Sequence, residues 1–388
     1  MPMIRVAHVI TRLCRGGAQE NTFHTVRLAN RARFDVDLIS GVITGSEDSM
    51  EEQVRAAGIG VIRVPSLARN PHVAHDYRAY RFLRALFKEK QYDIVHTHTS
   101  KAGFLGRLAA HHAGVPIIVH TPHGHVFHGY FSSPVTRFYT MLERYAAGKS
   151  HGLIALTERG IEEHLAHGVG RKEQWSAIFS GIDLAPFENA MEKRHETRKS
   201  LGLRPDTLLV GGAGRLEPVK GFAYFVEAAR RLAEQWPEVR FILAGDGSQR
   251  SFLEGQAADL SLQFDFLGMR DDIPALMAAM DVFVLPSLNE GMGRVLIEAA
   301  AAGAPVVATA VGGVPEIVKD GVTGLLVPPE NATALAAAMQ RLLADGETRR
   351  RMGETARAEV APHYGIESMV RQVEGRYETL LQEKGLEG

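Results

Sequence analysis

Twice along the chain, short runs of β-branched and other apolar residues alternate with segments of helical spacing. This alternation is the strongest constraint on the fold. In the first half the apolar runs are residues 4–10, 36–39, 61–64, 94–96, 117–119 and 153–156. Helically spaced segments at 18–30, 76–90 and 103–112 lie between several of them. Continuous apolar strands joined by helical crossovers predict a parallel sheet covered on both faces. The pattern repeats at residues 208–211, 239–244, 264–267, 282–285, 306–308 and 325–327. The expected fold class is therefore α/β, two doubly wound, Rossmann-like parallel-sheet domains. Residues 183–204 are polar and charge-rich with no strand pattern, and read as the linker. The expected bounds are 1–185 and 186–365, followed at 366–388 by a helical stretch expected to pack back toward the first domain. Open α/β sheets bind ligands at strand C-terminal ends, and two such domains in series are expected to share a cleft there.

Composition removes several alternatives. A chain of 388 residues suggests two or three domains and can bury more than one core. The single cysteine, Cys14, excludes a disulfide framework and Cys-rich zinc modules. A net charge of −1 supplies no global field for nucleic acid. No apolar run approaches the ~20 residues of a membrane span, and the N-terminus does not read as a signal peptide. The expected location is cytoplasmic, at most on the inner face of the membrane. Charge is nevertheless uneven, about +6 over residues 1–185 and about −7 over the rest. The first half also carries most of the 17 histidines.

Two segments of the second half carry anion-binding chemistry. In Pro286-Ser287-Leu288-Asn289-Glu290-Gly291-Met292-Gly293-Arg294, a strand end runs through a Gly-rich turn into a helix expected to start near Gly291. Free amides at a helix N-terminus attract phosphate oxygens, and glycines allow close approach. Glu290 at the turn and Glu298, about two helical turns further in, are acceptors for hydroxyl groups on either side of a diphosphate. The alternative roles are a helix cap and a surface carboxylate. The second segment, Gly211-Gly212-Ala213-Gly214-Arg215-Leu216-Glu217-Pro218-Val219-Lys220-Gly221, lacks the G-x-G-x-x-G spacing of a dinucleotide fingerprint. It does bring two cations, Arg215 and Lys220, to one strand end. Arg suits bidentate phosphate binding and Lys adds a point charge. A pair of solvated surface charges is the alternative.

In order, these pieces resemble the retaining nucleotide-sugar glycosyltransferases of family 4, which have the GT-B fold. The resemblance rests on Gly214-Arg215 with Lys220-Gly221, Gly245-Asp246-Gly247, Glu290 and Glu298 with seven residues between, Gly312-Gly313-Val314-Pro315-Glu316, and Asp320-Gly321 before Gly324 and Pro328. In the first half it rests on Gly16-Gly17-Ala18-Gln19-Glu20, Asp93-Ile94-Val95-His96, His123-Gly124 and Ser180-Gly181-Ile182-Asp183. It thus covers nearly the whole chain. It implies that Arg215 and Lys220 clamp the diphosphate and that Glu298 holds the ribose hydroxyls. Glu290, with the amides of Gly291, Met292 and Gly293, would hold donor sugar and phosphate. Gly214 belongs to the same turn. His123 would face the sugar, and Gly16 and Gly17 would approach the phosphate or the acceptor. Met269 and Arg270 would wall the base. Arg294 departs from the family, where an apolar or small residue is common; it either adds charge beside the phosphate site or points to solvent.

The implied activity is retaining, metal-independent hexosyl or N-acetylhexosaminyl transfer from a nucleoside diphosphate sugar, UDP-linked by family tendency. The acceptor would be a glycan or polyprenyl-linked sugar in cell-surface polysaccharide or glycolipid synthesis. No cofactor is expected beyond this donor substrate. The rivals are a nucleotide-sugar epimerase of the same fold, a non-catalytic sugar-nucleotide-binding protein and, last, a metal hydrolase. The histidines His96, His98, His120, His123, His125 and His128 invite a zinc reading. However, residues 116–131 contain no carboxylate, and alternation sends His96 and His98 to one face, leaving few ligands convergent. His125, His128 and the stretch 127–139 are expected on the acceptor side. Finally, Arg78, Arg81, Arg84 and Lys88 share one helical face, with Phe82, Leu83, Leu86 and Phe87 available to pack inward. Such a stripe is either a solvated face or a peripheral contact with anionic membrane.

Overall fold

A computed structural model describes residues 3–43, 49–124, 133–260 and 262–386. The chain divides into two compact units, Met1–Gly181 with Ile366–Gly388, and Ile182–Gly365. Among the described residues the first unit holds seven strands: β1 (Ile4–Ile10), β2 (Phe34–Ser40), β3 (Val61–Arg63), β4 (Ile94–His98), β5 (Ile117–Thr121), β6 (Gly152–Ala155) and β7 (Trp175–Ala177). They form one parallel sheet in the order β3-β2-β1-β4-β5-β6-β7. The second unit holds β8 (Leu209–Ala213), β9 (Arg240–Ala244), β10 (Phe264–Gly268), β11 (Val282–Leu285), β12 (Val306–Thr309) and β13 (Gly324–Val327). Their parallel order is β10-β9-β8-β11-β12-β13. In each sheet the crossovers diverge between the first strand and its non-consecutive neighbour. This opens a crevice at the strand C-terminal ends between β1 and β4, and again between β8 and β11.

Alternation along the strands builds a core on each face of the first unit's sheet, beside a smaller cluster that includes Leu153, Ala155 and Trp175. Ile4, Val6 and Ile10 of β1 face one layer, together with Met369, Val370, Val373, Tyr377, Leu380 and Leu381 of the C-terminal helix Ile366–Glu383. Ala7 and Val9 face the other layer, with Leu83 and Phe87 of the helix Val73–Lys90. In the second unit Phe225, Phe241 and Phe264 pack edge-on and stacked within a single large cluster.

Several sequence expectations are corrected. β4 and β5 each run two residues further than their apolar pattern, through His98 and Thr121. The three-residue β7, with Ser176 at its centre, has no periodic signal. The polar segment 183–204 carries a helix, Arg194–Ser200. Arg194 and Arg198 hold it down by binding Asp281 at 2.6 and 3.1 Å, and Arg198 also binds the Thr207 carbonyl. In the basic helix Leu83 and Phe87 are buried and Leu86 partly so, but Phe82 is 40% exposed. Phe82 lies one residue off the buried 79–83–87 stripe, about 100° around the helix.

Candidate active site

In the second unit the crevice between β8 and β11 is lined by the loops that leave those strands. After β8, Gly214 and the exposed Arg215 lead through a short 3-10 turn, Pro218–Lys220, into the helix Phe222–Ala233. The loop is braced from β9: Leu216 N–H donates to the Asp246 carbonyl at 2.9 Å, and Gln249 N–H to the Leu216 carbonyl at 2.8 Å. Gly245-Asp246-Gly247 therefore acts as a support for the cationic turn. After β11, Glu290 lies between Pro286 and the helix Arg294–Ala301. The two loops meet in an ion pair, Lys220 Nζ to Glu290 Oε1 at 2.6 Å. Ser287, fully buried, donates to the same carboxylate oxygen at 2.7 Å.

Two glycines make this approach possible. A Cβ on Gly221, whose φ is +64°, would sit 2.1 Å from the Pro286 carbonyl oxygen. One on Gly312, at φ +50°, would sit 1.7 Å from the carbonyl oxygen of Glu290. The Gly312-Gly313 motif thus seats Glu290 from below, and Gly313 N–H donates to that same carbonyl at 3.2 Å.

The adjoining helix starts at Arg294 rather than Gly291, because Gly293 takes the N-cap at φ +78°. Gly291 and Gly293 consequently lie in the turn before the helix, and the Met292 side chain is buried beneath it. Glu298 is the fifth helical residue, little more than one turn in. Arg294 Nη2 lies 3.9 Å from Glu298 Oε1, so the residue that departs from the family sits against the carboxylate expected to hold a ribose. After β10, Met269 is 79% exposed, and Arg270 makes a bidentate pair with Asp272 at 2.8 and 2.6 Å.

In the first unit Gly16 caps the helix Gly17–Arg27 after β1, its carbonyl accepting from Glu20 N–H. His123 follows β5 at φ +60°, and Thr99 follows β4 at φ +63°. Left-handed backbone at non-glycine residues is costly and concentrates at functional sites. Thr99 is held by the Thr11 hydroxyl at 2.9 Å, and His123 Nε2 by His98 Nδ1 at 2.9 Å. His125 and His128, with residues 125–132 generally, lie outside the described residues.

The expectation that few histidines converge is overturned. β1 pairs with β4 in a register that sets His8 opposite His96, and His98 is the next residue on the same face. Nitrogens of these three buried rings lie within 4.8 Å of one another, a spacing an ion could bridge. Each of their nitrogens already faces a partner. His8 Nδ1 and His98 Nε2 are 2.9 Å apart, His96 Nδ1 and Tyr377 Oη 2.6 Å, His96 Nε2 and Thr121 Oγ1 2.8 Å, and Tyr377 Oη and His8 Nε2 3.3 Å. Burial pushes His8 and His123 down to about 3, and His96, His98 and His120 well below the ordinary imidazole value. His8, Tyr377, Ser287 and Asp281 escape sequence reading as site residues. Only His8, a lone polar residue in the apolar run of β1, leaves a signal there.

Among known proteins, residues 193–359 match the family described as glycosyl transferases group 1, and residues 16–176 match the glycosyl transferase 4-like domain. The chain is 34% identical over 382 residues to the Escherichia coli UDP-Gal:alpha-D-GlcNAc-diphosphoundecaprenol alpha-1,3-galactosyltransferase, covering 96% of each. It is 33% identical over 285 residues to the D-inositol 3-phosphate glycosyltransferase of Streptomyces bingchenggensis, covering 68% of this chain and 62% of that one. Among solved structures, Anabaena HepE in complex with UDP superposes with a TM-score of 0.83 at 23% identity, over 97% of this chain and 100% of that one.

Proposed function

The chain belongs to the group 1 glycosyl transferases, with the GT-B fold, and on that premise we propose that it moves a hexosyl or N-acetylhexosaminyl group from a UDP-sugar to a lipid-linked acceptor with retention of configuration. The observation that carries this reading is the meeting of Lys220 and Glu290, seated by Ser287, at the β8–β11 crevice. A cation and a carboxylate held together at a switch point match a donor with a diphosphate on one side and sugar hydroxyls on the other. The E. coli relative names UDP-Gal as donor and a diphosphoundecaprenol-linked sugar as acceptor, which favours this substrate pair over other nucleotides and soluble acceptors.

In this mechanism the bond between the anomeric carbon and the diphosphate oxygen breaks as the acceptor hydroxyl oxygen bonds to the same face of that carbon, and the hydroxyl proton passes to an oxygen of the departing diphosphate. Negative charge grows on the departing diphosphate. Lys220, held beside Glu290 before the reaction, and Arg215 from the exposed turn next to it stabilise that charge. The Gly291–Gly293 turn and the Arg294–Ala301 helix behind it add peptide dipoles of the same sign. Glu298 binds the ribose, and Arg294 orients it. The reaction needs no metal, so turnover in EDTA should equal turnover without it; a loss restored by magnesium would reject this part of the mechanism.

Binding is tested by thermal shift against UDP, GDP and a panel of UDP-sugars. A ligand at about 100 times its Kd stabilises by about 2.7 kcal/mol. A shift with UDP, deepened by one UDP-sugar and abolished in Lys220→Ala, supports the assignment. No shift with any nucleotide defeats it. An epimerase would convert its nucleotide sugar without acceptor, so product analysis in acceptor-free buffer separates the two.

Contact with an anionic membrane is part of the same proposal. Arg78, Arg81 and Lys88 are exposed on the helix Val73–Lys90. On the helix Ser133–Ala147, Val135, Phe138, Met141 and Tyr145 are all at least 39% exposed at spacings of three and four. No helix among the described residues is long and apolar enough to cross a membrane. Flotation with liposomes should depend on anionic lipid, and co-flotation that ignores lipid charge would remove the basic stripe from the account.

A further inference from the structure

The buried polar chain of the first unit can be solved for its protons. It runs Thr121–His96–Tyr377–His8–His98–His123 through five contacts of 2.6 to 3.3 Å. Each contact requires one hydrogen: two would repel, and none would leave acceptor facing acceptor. With the rings neutral, the six groups carry one mobile hydrogen apiece, one more than the contacts use. The surplus hydrogen therefore lies outside the chain, and only three arrangements place it.

In the first, the Thr121 hydroxyl points away and every ring donates toward Thr121 from Nε2. Thr121 is buried, and among the described residues its side chain has His96 as its one hydrogen-bond partner. Its proton would go unsatisfied. In the second, Tyr377 accepts from both His96 and His8. Its own proton would then have no acceptor, because among the described residues the buried Tyr377 hydroxyl has only these two rings as hydrogen-bond partners. In the third, Thr121 donates to His96 Nε2, His96 Nδ1–H to Tyr377, Tyr377 to His8 Nε2, His8 Nδ1–H to His98 Nε2, and His98 Nδ1–H to His123 Nε2. The surplus hydrogen then rests on His123 Nδ1, at the half-buried end of the chain, where nothing among the described residues bonds it. Only this arrangement leaves no buried donor unmet, and unmet buried donors are the costly outcome.

We propose that Thr121, His96, Tyr377, His8 and His98 act as positioning residues that hold His123 as its Nδ1–H tautomer, so that it presents a neutral, oriented N–H donor to a substrate oxygen. The pairing also fixes the ring while the left-handed backbone at residue 123 turns it out of the strand end. The rings are neutral because burial lowers their basicity. The consequence for turnover rests on the sugar-facing reading of His123; the tautomer itself does not. An ion bridging His8, His96 and His98 would have to break these contacts, which makes metal binding the competing outcome.

The test is a long-range proton–nitrogen correlation spectrum of the whole protein labelled with 15N-histidine, assigned with single His→Gln variants. His8, His96, His98 and His123 should all report Nδ1–H, the opposite of the Nε2–H form that free imidazole side chains prefer. Nε2–H at His123, a charged ring at neutral pH, or one equivalent of zinc retained on His8, His96 and His98 would each overturn the proposal. Tyr377→Phe cuts the chain and leaves buried His8 Nε2 without a partner whether it carries the hydrogen or is bare, so both directions of the His8–His98–His123 segment now carry one unmet group and neither is fixed. His123 should then become a mixture, and kcat should fall by about twofold, in step with the lost population, at unchanged KM. Thr121→Ser should keep the wild-type pattern. An unchanged His123 signal in folded Tyr377→Phe also overturns the relay; if that variant does not fold, the wild-type spectrum decides alone. Failure of nucleotides to bind would remove the transferase reading and leave the tautomer result standing.

Discussion

Lys220 is bound to Glu290 at 2.6 Å, so a substitution at either residue changes both the charge and the seat of the other. Lys220→Ala removes one preorganised cation and should lower kcat by about 10²–10³ with the fold intact. Steady-state kinetics beside a circular dichroism melt separates that loss from unfolding. Gly312→Ala acts differently, since its Cβ would enter the Glu290 carbonyl. The turn must move, costing about 2 kcal/mol in a thermal melt, and activity should fall although the side chain added is inert. The glycine motifs and the Glu290–Glu298 spacing were legible at this scale because they are local. Thr99 and His123 were not legible as strained positions, because neither is a residue type that announces left-handed backbone.

At the scale of elements, strand reading by apolarity stopped short where strands carry polar residues into the crevice. β4 and β5 continue through His98 and Thr121 because ladder pairing, which involves only the backbone, does not depend on side-chain hydrophobicity. The C-terminal helix supplies six apolar residues to the first unit's core. Each is worth about 1.5–3 kcal/mol of gross burial, so the set rivals the whole stability of about 5–15 kcal/mol expected for a domain. A chain ending at residue 365 should lose the first unit's melting transition, which calorimetry would show. The helix Arg194–Ser200 depends instead on Asp281. Arg198→Ala leaves that carboxylate short of a partner and frees the Thr207 and Ala279 carbonyls. A loss of about 3 kcal/mol in a urea melt is expected.

For the whole molecule, the buried histidines couple stability to pH. His8, with a folded value of about 3 against 6.5 unfolded, binds its proton only in the unfolded chain between those limits. The unfolded state then takes up more protons, so stability is complete above pH 6.5 and declines as pH falls through that window. His96, His98 and His120 shift the same way by burial. Each contributes a slope of about 1.4 kcal/mol per pH unit. The first unit should therefore melt markedly lower at pH 5 than at pH 7.5, and replacing His8 by Asn should flatten that dependence.

By itself the sequence determined the alternating α/β pattern, the parallel sheets and the order of motifs that marks the family. Those properties follow from local periodicity and from residue types at short spacing. Tertiary structure alone decided that Lys220 and Glu290 meet, that Asp281 anchors the segment 183–204, and that Tyr377 joins a buried polar chain with histidines of β1 and β4 and of the turn after β5. Residues 8, 96, 98, 121, 123 and 377 have no common period along the chain. They become neighbours only through the register of β1, β4 and β5 and the docking of the last helix, which no local pattern encodes.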